Sequence, residues 1–466
     1  MRRIAYSLFA LIGLIVLGAL GGSLGQARTG AIPAKDRIVV VISIDGFPAY
    51  AFDDPRLSAP TLLRLAREGV RGQGMKIVNP AVTWPNHTSM ITGVAPAKHS
   101  VLFNGLLVRD NPKAPPKVEP WRNKDEMVKA PTVYDLAFKA GLTTAQVDWV
   151  AITNPQTITW EFAERPDVNG RIEKEMIAEG VVKEKDLLEF SKSGQPWRDE
   201  VWTNAAVHII KKHKPNLLLF HLLNTDSIQH RFGAGTPAAA TAFAYADTRV
   251  QQILDALKTA NLIDRATILV VSDHGFKTAK RSVRPNTILR EKGLLAVDGD
   301  KVTGADAYVI PEGGTAMVYV TDPANRKRLV PQLKEWFSTL EGVDRVLGPE
   351  DFPALGMPDP EKNNQMADLV LAGKEGYSFG GSAEGAAVVD IIPPASPGSH
   401  GYLNSDPEMN AIFIAWGYGV TPGGALPSFN NVDIAPTIAS LLGLKMNNID
   451  GVPLSAILKS SDLSVN

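Results

Sequence analysis

The sequence predicts an α/β protein, a three-layer α/β/α sandwich with a mostly parallel central sheet and a smaller inserted lobe. Three apolar runs, Ile38–Ile44, Asn216–Leu223 and Ala266–Val271, are typical of strands that are buried on both faces. Stretches with helical periodicity separate these runs, most clearly Ala238–Ala260. Strands that alternate with helices of this length indicate a layered fold whose strands run parallel.

The first 27 residues have the pattern of a secretory signal peptide. Arg2 and Arg3 precede an uncharged run over residues 4–20, and the small residues around Gly25 and Ala27 are typical of a cleavage site. We therefore expect an exported protein, periplasmic or secreted, in which residues 28–466 form the catalytic domain. An uncleaved membrane anchor is the alternative, because a run of about 17 residues is at the short limit for a spanning helix.

The elements that follow the leader can be predicted in chain order. A helix over 60–68 shows apolar residues at helical spacing and stops at Gly69. The proline-rich, charged stretch 109–130 indicates an exposed loop. The other elements predicted before the third apolar run are a strand over 75–78, a short helix that ends at Gly93, a helix over 132–140, a strand over 143–147 and a helix over 200–212.

Beyond Asp273 the pattern changes. Residues 282–395 contain shorter strands, over 307–310 and 316–320, a helix near 324–340, and many glycines and prolines, which predicts a smaller lobe. The original alternation returns with a strand over 411–415 and a helix over 433–442.

Composition excludes several functional classes. The net charge of −1 gives no reason to expect a nucleic acid partner or an anionic membrane surface. The chain has no cysteine, which excludes disulfides, thiolate nucleophiles, zinc fingers and iron–sulfur sites. An exported chain of this kind is held together by its core or by metal.

Carboxylates and imidazoles follow each of the three buried runs. Because the carboxyl ends of parallel strands meet at one edge of the sheet, these side chains are predicted to lie close together. Asp and His without Cys are typical ligands of zinc-like divalent ions. A further histidine lies in a Gly- and Pro-rich turn. The candidate ligands are Asp45, Asp226, His230, Asp273, His274 and His400.

Thr83 is the candidate nucleophile. It lies just before Trp84-Pro85 at the predicted start of a helix, where free N–H groups attract anions. The alternative is that Thr83 only caps the helix. Together with the six candidate ligands it makes seven donors, too many for one tetrahedral ion and suited to two ions with open positions. The remaining histidines are interpreted as structural: His87, His99, His208, His213 and His221.

Five segments together resemble the alkaline phosphatase superfamily, and most closely its nucleotide pyrophosphatase/phosphodiesterase branch (type I phosphodiesterases). In chain order they are Ile42-Ser43-Ile44-Asp45-Gly46-Phe47, Thr83-Trp84-Pro85-Asn86-His87, Asp226-x-x-x-His230, Ser272-Asp273-His274-Gly275 and Gly398-Ser399-His400-Gly401. The resemblance spans about residues 38–445 and implies an alkaline phosphatase-like fold. It is loose over 282–395, the region that commonly shapes the leaving-group pocket.

The resemblance implies two zinc ions per chain and a phospho-threonine intermediate on Thr83. It assigns Asp226, His230 and His400 to one ion, and Asp45, Asp273, His274 and Thr83 to the other. It also implies that Asn104 donates to a phosphate oxygen of a small phosphate ester or nucleotide substrate. One departure is His99-Ser100-Val101, where the family usually has His-Gly-Ile.

Two other functions stay open from the sequence. A phosphomonoesterase or phosphonate hydrolase with the same metal core would want a cation near the site, and Lys98 and Arg109 flank the Asn104 loop. A non-catalytic domain that keeps zinc for stability is the rival from another class. The sequence does not specify the substrate or the oligomeric state.

Overall fold

A computed structural model describes residues 31–299, 301–459 and 461 of the chain. The predicted signal peptide, residues 1–27, lies outside the described residues. Within the part of the chain that is described, no helix is both long enough and apolar enough to cross a bilayer.

Eight strands form the central sheet, and seven of them run in the same direction. Across the sheet their order is β8-β2-β7-β6-β1-β5-β3-β4, and only β7 is antiparallel to its neighbours. The strands are β1 (Ile38–Ile44), β2 (Val70–Gly72), β3 (Thr144–Val147), β4 (Trp160–Phe162), β5 (Leu217–Leu222), β6 (Ala266–Val271), β7 (Phe413–Gly417) and β8 (Gly424–Leu426).

The central strand β1 shows why the fold has three layers. All seven of its residues are buried, and β5 and β6 flank it in parallel. Ile38, Val40 and Ile42 face one apolar cluster, whereas Val39 and Val41 face a second cluster on the other side of the sheet. Because side chains alternate along a strand, an unbroken apolar run requires a helical layer on each face.

The residues that the structure describes form thirteen α-helices, several of which cover the two faces of the central sheet. Those over 60–68, 195–212 and 237–259 contribute to the first cluster, and those over 83–92, 133–139 and 434–441 to the second. In chain order the helices are Pro60–Glu68, Thr83–Thr92, Pro96–His99, Lys124–Met127, Val133–Lys139, Arg171–Ala178, Glu184–Leu188, Gln195–Lys212, Asn224–Phe232, Pro237–Thr259, Pro285–Glu291, Arg326–Ser338 and Ile434–Leu441.

A smaller lobe lies between β6 and β7 and has its own apolar cluster. Its main sheet is four-stranded and antiparallel, in the order Ala307–Pro311, Thr315–Val320, Leu369–Gly373 and Val343–Leu347. A second sheet joins Tyr377–Phe379, Arg281–Val283 and Val388–Asp390, and a hairpin joins Leu295–Asp298 to Lys301–Ala305.

Several predicted elements differ from the structure. The three-residue strands β2, β4 and β8 were not predicted, because so short a segment carries no periodicity. The helix predicted over 200–212 begins at Gln195, with Pro196 in its first turn. The predicted strand over 75–78 shrinks to Met75–Lys76, which pairs with Phe429–Asn430 outside the central sheet. The predicted loop 109–130 includes Lys117–Glu119, which pairs with Leu106–Val108.

The lobe reaches the edge of the central sheet through one tight turn between strands Ala307–Pro311 and Thr315–Val320. The Gly314 N–H donates to the His400 carbonyl at 2.7 Å. A Cβ placed on Gly401 would lie 1.6 Å from the Glu312 carbonyl oxygen. The contact between the lobe and the His400 loop therefore requires glycine at position 401.

We expect Gly401→Ala to lower the thermal unfolding midpoint far more than Gly141→Ala. Both glycines have positive φ, +77° and +79°, so both substitutions carry the same backbone strain. Only Gly401 has backbone within 4 Å of the added methyl group. Scanning calorimetry of the two variants separates the destabilisation caused by the clash with Glu312 from that caused by the backbone strain. Equal unfolding midpoints would show that the turn of the lobe moves aside without loss of stability.

Candidate functional site

Thr83 begins the helix Thr83–Thr92, as predicted. Val82 occupies the N-cap position and makes no side-chain cap, and Gly93 ends the helix with φ 71°. Pro85 is the third helical residue and not the first as predicted. Within the described residues the Thr83 hydroxyl makes no hydrogen bond, so Thr83 is not a capping residue in this structure. The helix N-terminus thus presents a free hydroxyl.

Asp45, Asp273 and His274 form the first group of donors. Asp45 follows β1, and Asp273 and His274 follow β6, so the pairing of these two strands brings them together. His274 Nε2 lies 3.3 Å from Asp45 Oδ1 and 3.2 Å from Asp273 Oδ2. The other Asp273 oxygen accepts from the Gly46 N–H at 3.1 Å, which fixes the carboxylate. All three side chains are fully buried.

Asp226, His230 and His400 lie beside this group. Asp226 and His230 are one turn apart on the helix Asn224–Phe232, and His230 Nε2 is 3.3 Å from Asp226 Oδ1. His400 Nε2 is 3.8 Å from the same oxygen. The His400 ring stacks on His274 with centroids 3.8 Å apart. Donor atoms of Asp226, His274 and His400 lie within 4.8 Å of one another, so His274 connects the two groups.

Each of the three candidate histidines is oriented by the main chain. Nδ1 of His230 bonds to the Gly398 carbonyl, Nδ1 of His274 to the Gly275 carbonyl, and Nδ1 of His400 to the Ala81 carbonyl, each at 3.0 Å. With Nδ1 as the donor, the lone pair is on Nε2, which faces the carboxylates. This is the arrangement that orients metal-binding imidazoles in proteins.

The site carries buried polar atoms that lack partners. Asp45 Oδ1, Asp226 Oδ1, Asp273 Oδ2 and His274 Nε2 are buried without a hydrogen bond. Burial and the nearby Asp273 and Asp226 raise the pKa of Asp45 well above its usual value. Burial lowers the pKa of His274 to about 4, so this imidazole is neutral near pH 7. Clustered carboxylates and neutral imidazoles fit divalent cations, which supply the missing charge and coordination.

Two other clusters of ionisable residues do have partners for their charged groups. Glu175 Oε2 lies 2.9 Å from His208 Nε2 and 2.6 Å from His213 Nε2, which are hydrogen-bond distances. In the second cluster the Lys277 ammonium forms ion pairs with all three carboxylates: Glu375, Asp406 and Glu408. Both clusters are satisfied without a metal ion.

Sequence reasoning missed two residues of the site. His221 was interpreted as structural, yet its Nε2 lies 3.1 Å from Asp45 Oδ2 and its Nδ1 lies 3.3 Å from Asp148 Oδ2. Against the cost of burial, these two carboxylates raise the pKa of His221. The available sequence signal for His221 was its position in an otherwise apolar strand. Asp148 lies in a turn with φ 57°, and the sequence gave no signal for it.

Asn104 is held directly over the start of the Thr83 helix. Its Oδ1 accepts from the Trp84 N–H at 2.9 Å, and the residue is exposed. The side-chain amide NH₂ is therefore left to donate toward the cleft, whereas the Trp84 N–H is already used.

Lys98 and Arg109 do not contact the candidate donors. Lys98 pairs with Asp450, and Arg109 stacks on Tyr319 at 4.4 Å and donates to the Met366 carbonyl. Every ion pair of the candidate donors among the described residues is with a carboxylate or an imidazole. In the part of the chain that the structure describes, no lysine or arginine forms an ion pair with the candidate donors.

A cavity of about 680 Å³ opens beside Trp84, the neighbour of Thr83. Its wall includes Trp84, Trp121 and Trp149, and the Trp149 ring lies edge-on to His87 with centroids 4.8 Å apart. This cavity can accept a substituent of a bound ester.

One protein family matches most of this chain, both by its family model and by individual relatives. The family model described as type I phosphodiesterase / nucleotide pyrophosphatase matches residues 39–403. An uncharacterized pyrophosphatase/phosphodiesterase of Schizosaccharomyces pombe is 24% identical, covering 92% of this chain and 81% of the relative. Ectonucleotide pyrophosphatase/phosphodiesterase family member 7 of Rattus norvegicus is 22% identical, covering 91% and 87%.

The fold is also that of a solved structure. Murine ectonucleotide pyrophosphatase/phosphodiesterase 5, an inactive variant in complex with AMP, superposes with a TM-score of 0.68 at 16% identity, covering 91% of this chain and all of that one. This likeness confirms the predicted α/β fold with its mostly parallel sheet.

We expect His221→Gln to weaken the binding of a divalent metal ion about 10- to 100-fold, because the variant loses the imidazole that orients Asp45. His99→Gln is the matched control, since His99 is equally buried but bonds to the Ser89 hydroxyl, away from the candidate donors. Competition with a chromogenic chelator measures both affinities. Equal affinities in the two variants would remove His221 from the site.

Proposed function

This chain belongs to the type I phosphodiesterase / nucleotide pyrophosphatase family of phosphate ester hydrolases, and on that premise we propose a two-zinc phosphodiesterase that acts through a phospho-threonine intermediate. One observation carries the proposal: the Thr83 hydroxyl at a helix N-terminus makes no hydrogen bond among the described residues, and the candidate ligands include buried carboxylate oxygens and a buried His274 Nε2 that lack hydrogen-bond partners. A hydroxyl in that position is a nucleophile for phosphoryl transfer.

The donor groups match two ions. Asp45, Asp273, His274 and Thr83 would hold one zinc ion, and Asp226, His230 and His400 the other. When bound, such ions lower the pKa of a hydroxyl and offset the negative charge of the transferring phosphoryl group. The partnerless carboxylate oxygens and the oriented Nε2 atoms support this assignment.

The chain's own residues then account for the reaction. Thr83 Oγ1 forms a bond to phosphorus as the bond to the ester oxygen breaks, and the departing alcohol takes up a proton. Water then attacks the phospho-threonine, releases the phosphate monoester and restores the hydroxyl. Asn104 donates its amide N–H to a non-bridging oxygen, whose charge matters in the transition state. The positive end of the helix dipole at Thr83 favours the same anion.

The surroundings favour a diester over a monoester. A monoester carries an additional negative charge and calls for Lys or Arg contacts, whereas no Lys or Arg pairs with the candidate donors in the described part of the chain. The cavity beside Trp84 offers room for a second substituent. We therefore propose phosphodiesters or nucleotide pyrophosphates as substrates, in keeping with the AMP complex of the murine neighbour.

The N-terminal sequence pattern and the names of the relatives support a location for this protein outside the cytoplasm. The basic pair, the apolar run and the small residues of segment 1–27 are those of a signal peptide. Several relatives carry the name ectonucleotide pyrophosphatase/phosphodiesterase. We propose that this enzyme too is exported, to the periplasm or the medium.

Thr83→Ala should lower kcat/KM at least about a thousandfold, since it removes the nucleophile, while two zinc ions stay bound. Thr88→Ala, a buried threonine of the same helix, is the control and should keep wild-type turnover within about tenfold. Hydrolysis of an aryl phosphodiester and elemental zinc analysis provide the two readouts. Full activity of Thr83→Ala would end the proposed mechanism.

A matched set of p-nitrophenyl substrates tests the substrate class. We expect kcat/KM to rank a nucleoside monophosphate ester and a simple phosphodiester above the phosphomonoester, because the site lacks cations for the monoester's extra charge. Steady-state kinetics of the zinc-loaded protein measures the order. A clear preference for the monoester would be compatible with the proposed metal site but would contradict the phosphodiesterase assignment.

A further inference from the structure

The Asn104 loop, residues 100–105, is bounded by the helix Pro96–His99 and the strand Leu106–Val108. Asn104 itself is exposed and reaches the Thr83 helix through the bond between its Oδ1 and the Trp84 N–H. Both ends of the loop make hydrogen bonds with the lobe. The contacts at these ends therefore decide where the Asn104 amide lies over the cleft.

Gln365 of the lobe bonds to the strand that follows the loop. Its Oε1 accepts from the Leu107 N–H at 2.7 Å, and its Nε2 donates to the Leu107 carbonyl at 3.0 Å. Gln365 is 6% exposed, and its own carbonyl accepts from the buried Tyr319 hydroxyl at 2.8 Å. A side-chain amide that bonds to both main-chain groups of one residue acts as an additional strand partner, so a shift of Leu107 breaks two buried hydrogen bonds.

Asn363 of the lobe bonds to the first residue of the loop, Ser100. Its Nδ2 donates to the Ser100 hydroxyl oxygen at 2.9 Å. Ser100 has φ 68°, a left-handed conformation that is uncommon for residues other than glycine. A glycine would adopt this backbone without strain, but it would lack the hydroxyl that binds Asn363. Asn363 Oδ1 in turn accepts from the Gln365 N–H at 2.9 Å, which joins the two lobe residues.

Apolar packing holds the same loop against the lobe. Phe103, the residue before Asn104, is buried, and its ring centroid lies 6.3 Å from that of Tyr319. Both rings belong to an apolar cluster that joins residues of the loop to residues of the lobe. The position of the loop is thus tied to that of the lobe by packing as well as by hydrogen bonds.

We propose that Gln365 and Asn363 are positioning residues through which the lobe sets the position of the Asn104 amide over the Thr83 helix. The catalytic part of this assignment rests on the proposed function. Asn104 donates to a phosphate oxygen, and such a donor is effective only at the position that the transition state requires. A displacement of about 1 Å is enough to lose much of that effect. Both lobe residues act through Asn104 and not on the substrate.

Hydrogen exchange at the Trp84 N–H measures this position without any turnover. Trp84 is the second residue of its helix, so its N–H has no intrahelical acceptor and is protected by the bond to Asn104 Oδ1. We expect Asn104→Ala to raise the exchange rate of this N–H at least about tenfold, and Gln365→Ala at least about threefold. NMR of protein with isotope-labelled tryptophan measures the rates, and Trp84→Phe assigns the signal.

Asn286→Ala is the matched control. The buried Asn286 amide bonds to both main-chain groups of Val309, each at 2.9 Å, so the variant loses an equivalent pair of bonds elsewhere in the lobe. It should leave both the exchange rate of the Trp84 N–H and kcat within about twofold of the wild type, even where it lowers the unfolding midpoint.

Steady-state hydrolysis of an aryl phosphodiester tests the consequence for catalysis. Asn104→Ala should lower kcat about a hundredfold, the usual loss for one transition-state donor. Gln365→Ala should lower kcat about tenfold and leave KM within about twofold. In the Asn104→Ala background the same substitution should lower kcat by less than about twofold, because the group that it positions is already gone.

Ser100→Gly provides a second variant in case Gln365→Ala does not fold, since glycine adopts a positive φ without strain. This variant loses only the bond to Asn363. We expect it to raise the exchange rate of the Trp84 N–H and to lower kcat, each about threefold, with the effect on kcat again absent in the Asn104→Ala background.

The outcomes separate this role from the proposed function. Unchanged exchange of the Trp84 N–H in both Gln365→Ala and Ser100→Gly overturns the positioning role, whatever the kinetics. A loss of kcat that is equally large with and without Asn104 also overturns it, since the lobe then acts by another route. If the zinc-loaded wild type hydrolyses no phosphodiester, the proposed function fails, and the exchange rates alone decide whether the lobe positions Asn104.

Discussion

Three carboxylates that converge on one point, two of them fully buried, are the constraint on which the rest of this structure depends. Asp45, Asp226 and Asp273 come from three different segments, and burial together with the charges of Asp273 and Asp226 raises the pKa of Asp45 well above its usual value. Ordinary packing does not produce such a convergence, because buried charge without compensation is among the costliest features a fold can carry. A divalent cation would remove that cost, and the surrounding architecture positions the groups that could bind it.

The main chain does most of this positioning. Parallel pairing of β1 with β6 aligns the segments that carry Asp45 and Asp273, and carbonyls from three separate loops orient the three imidazoles. His221 adds a link from β5 to Asp45 and is held in turn by Asp148. A geometry fixed by backbone hydrogen bonds is preorganised, which is what catalysis of phosphoryl transfer requires.

The lobe belongs to the same site although it has its own apolar cluster. Its turn at Glu312 packs on the His400 loop, so a change in the lobe is transmitted directly to a candidate ligand. The edge of the central sheet supplies the candidate donors, and the lobe contacts the loop that carries one of them.

The sequence by itself determined the layered α/β fold, its three principal strands, the start of the Thr83 helix and the donors that follow the strands. These features follow from local rules, since apolar runs and helical periodicity can be recognised in short stretches of consecutive residues. Only the tertiary structure decided which donors meet, that Glu175, His208 and His213 satisfy one another, and that His221 supports Asp45. Those facts depend on contacts between segments far apart in the chain, and no local pattern encodes a distance between them.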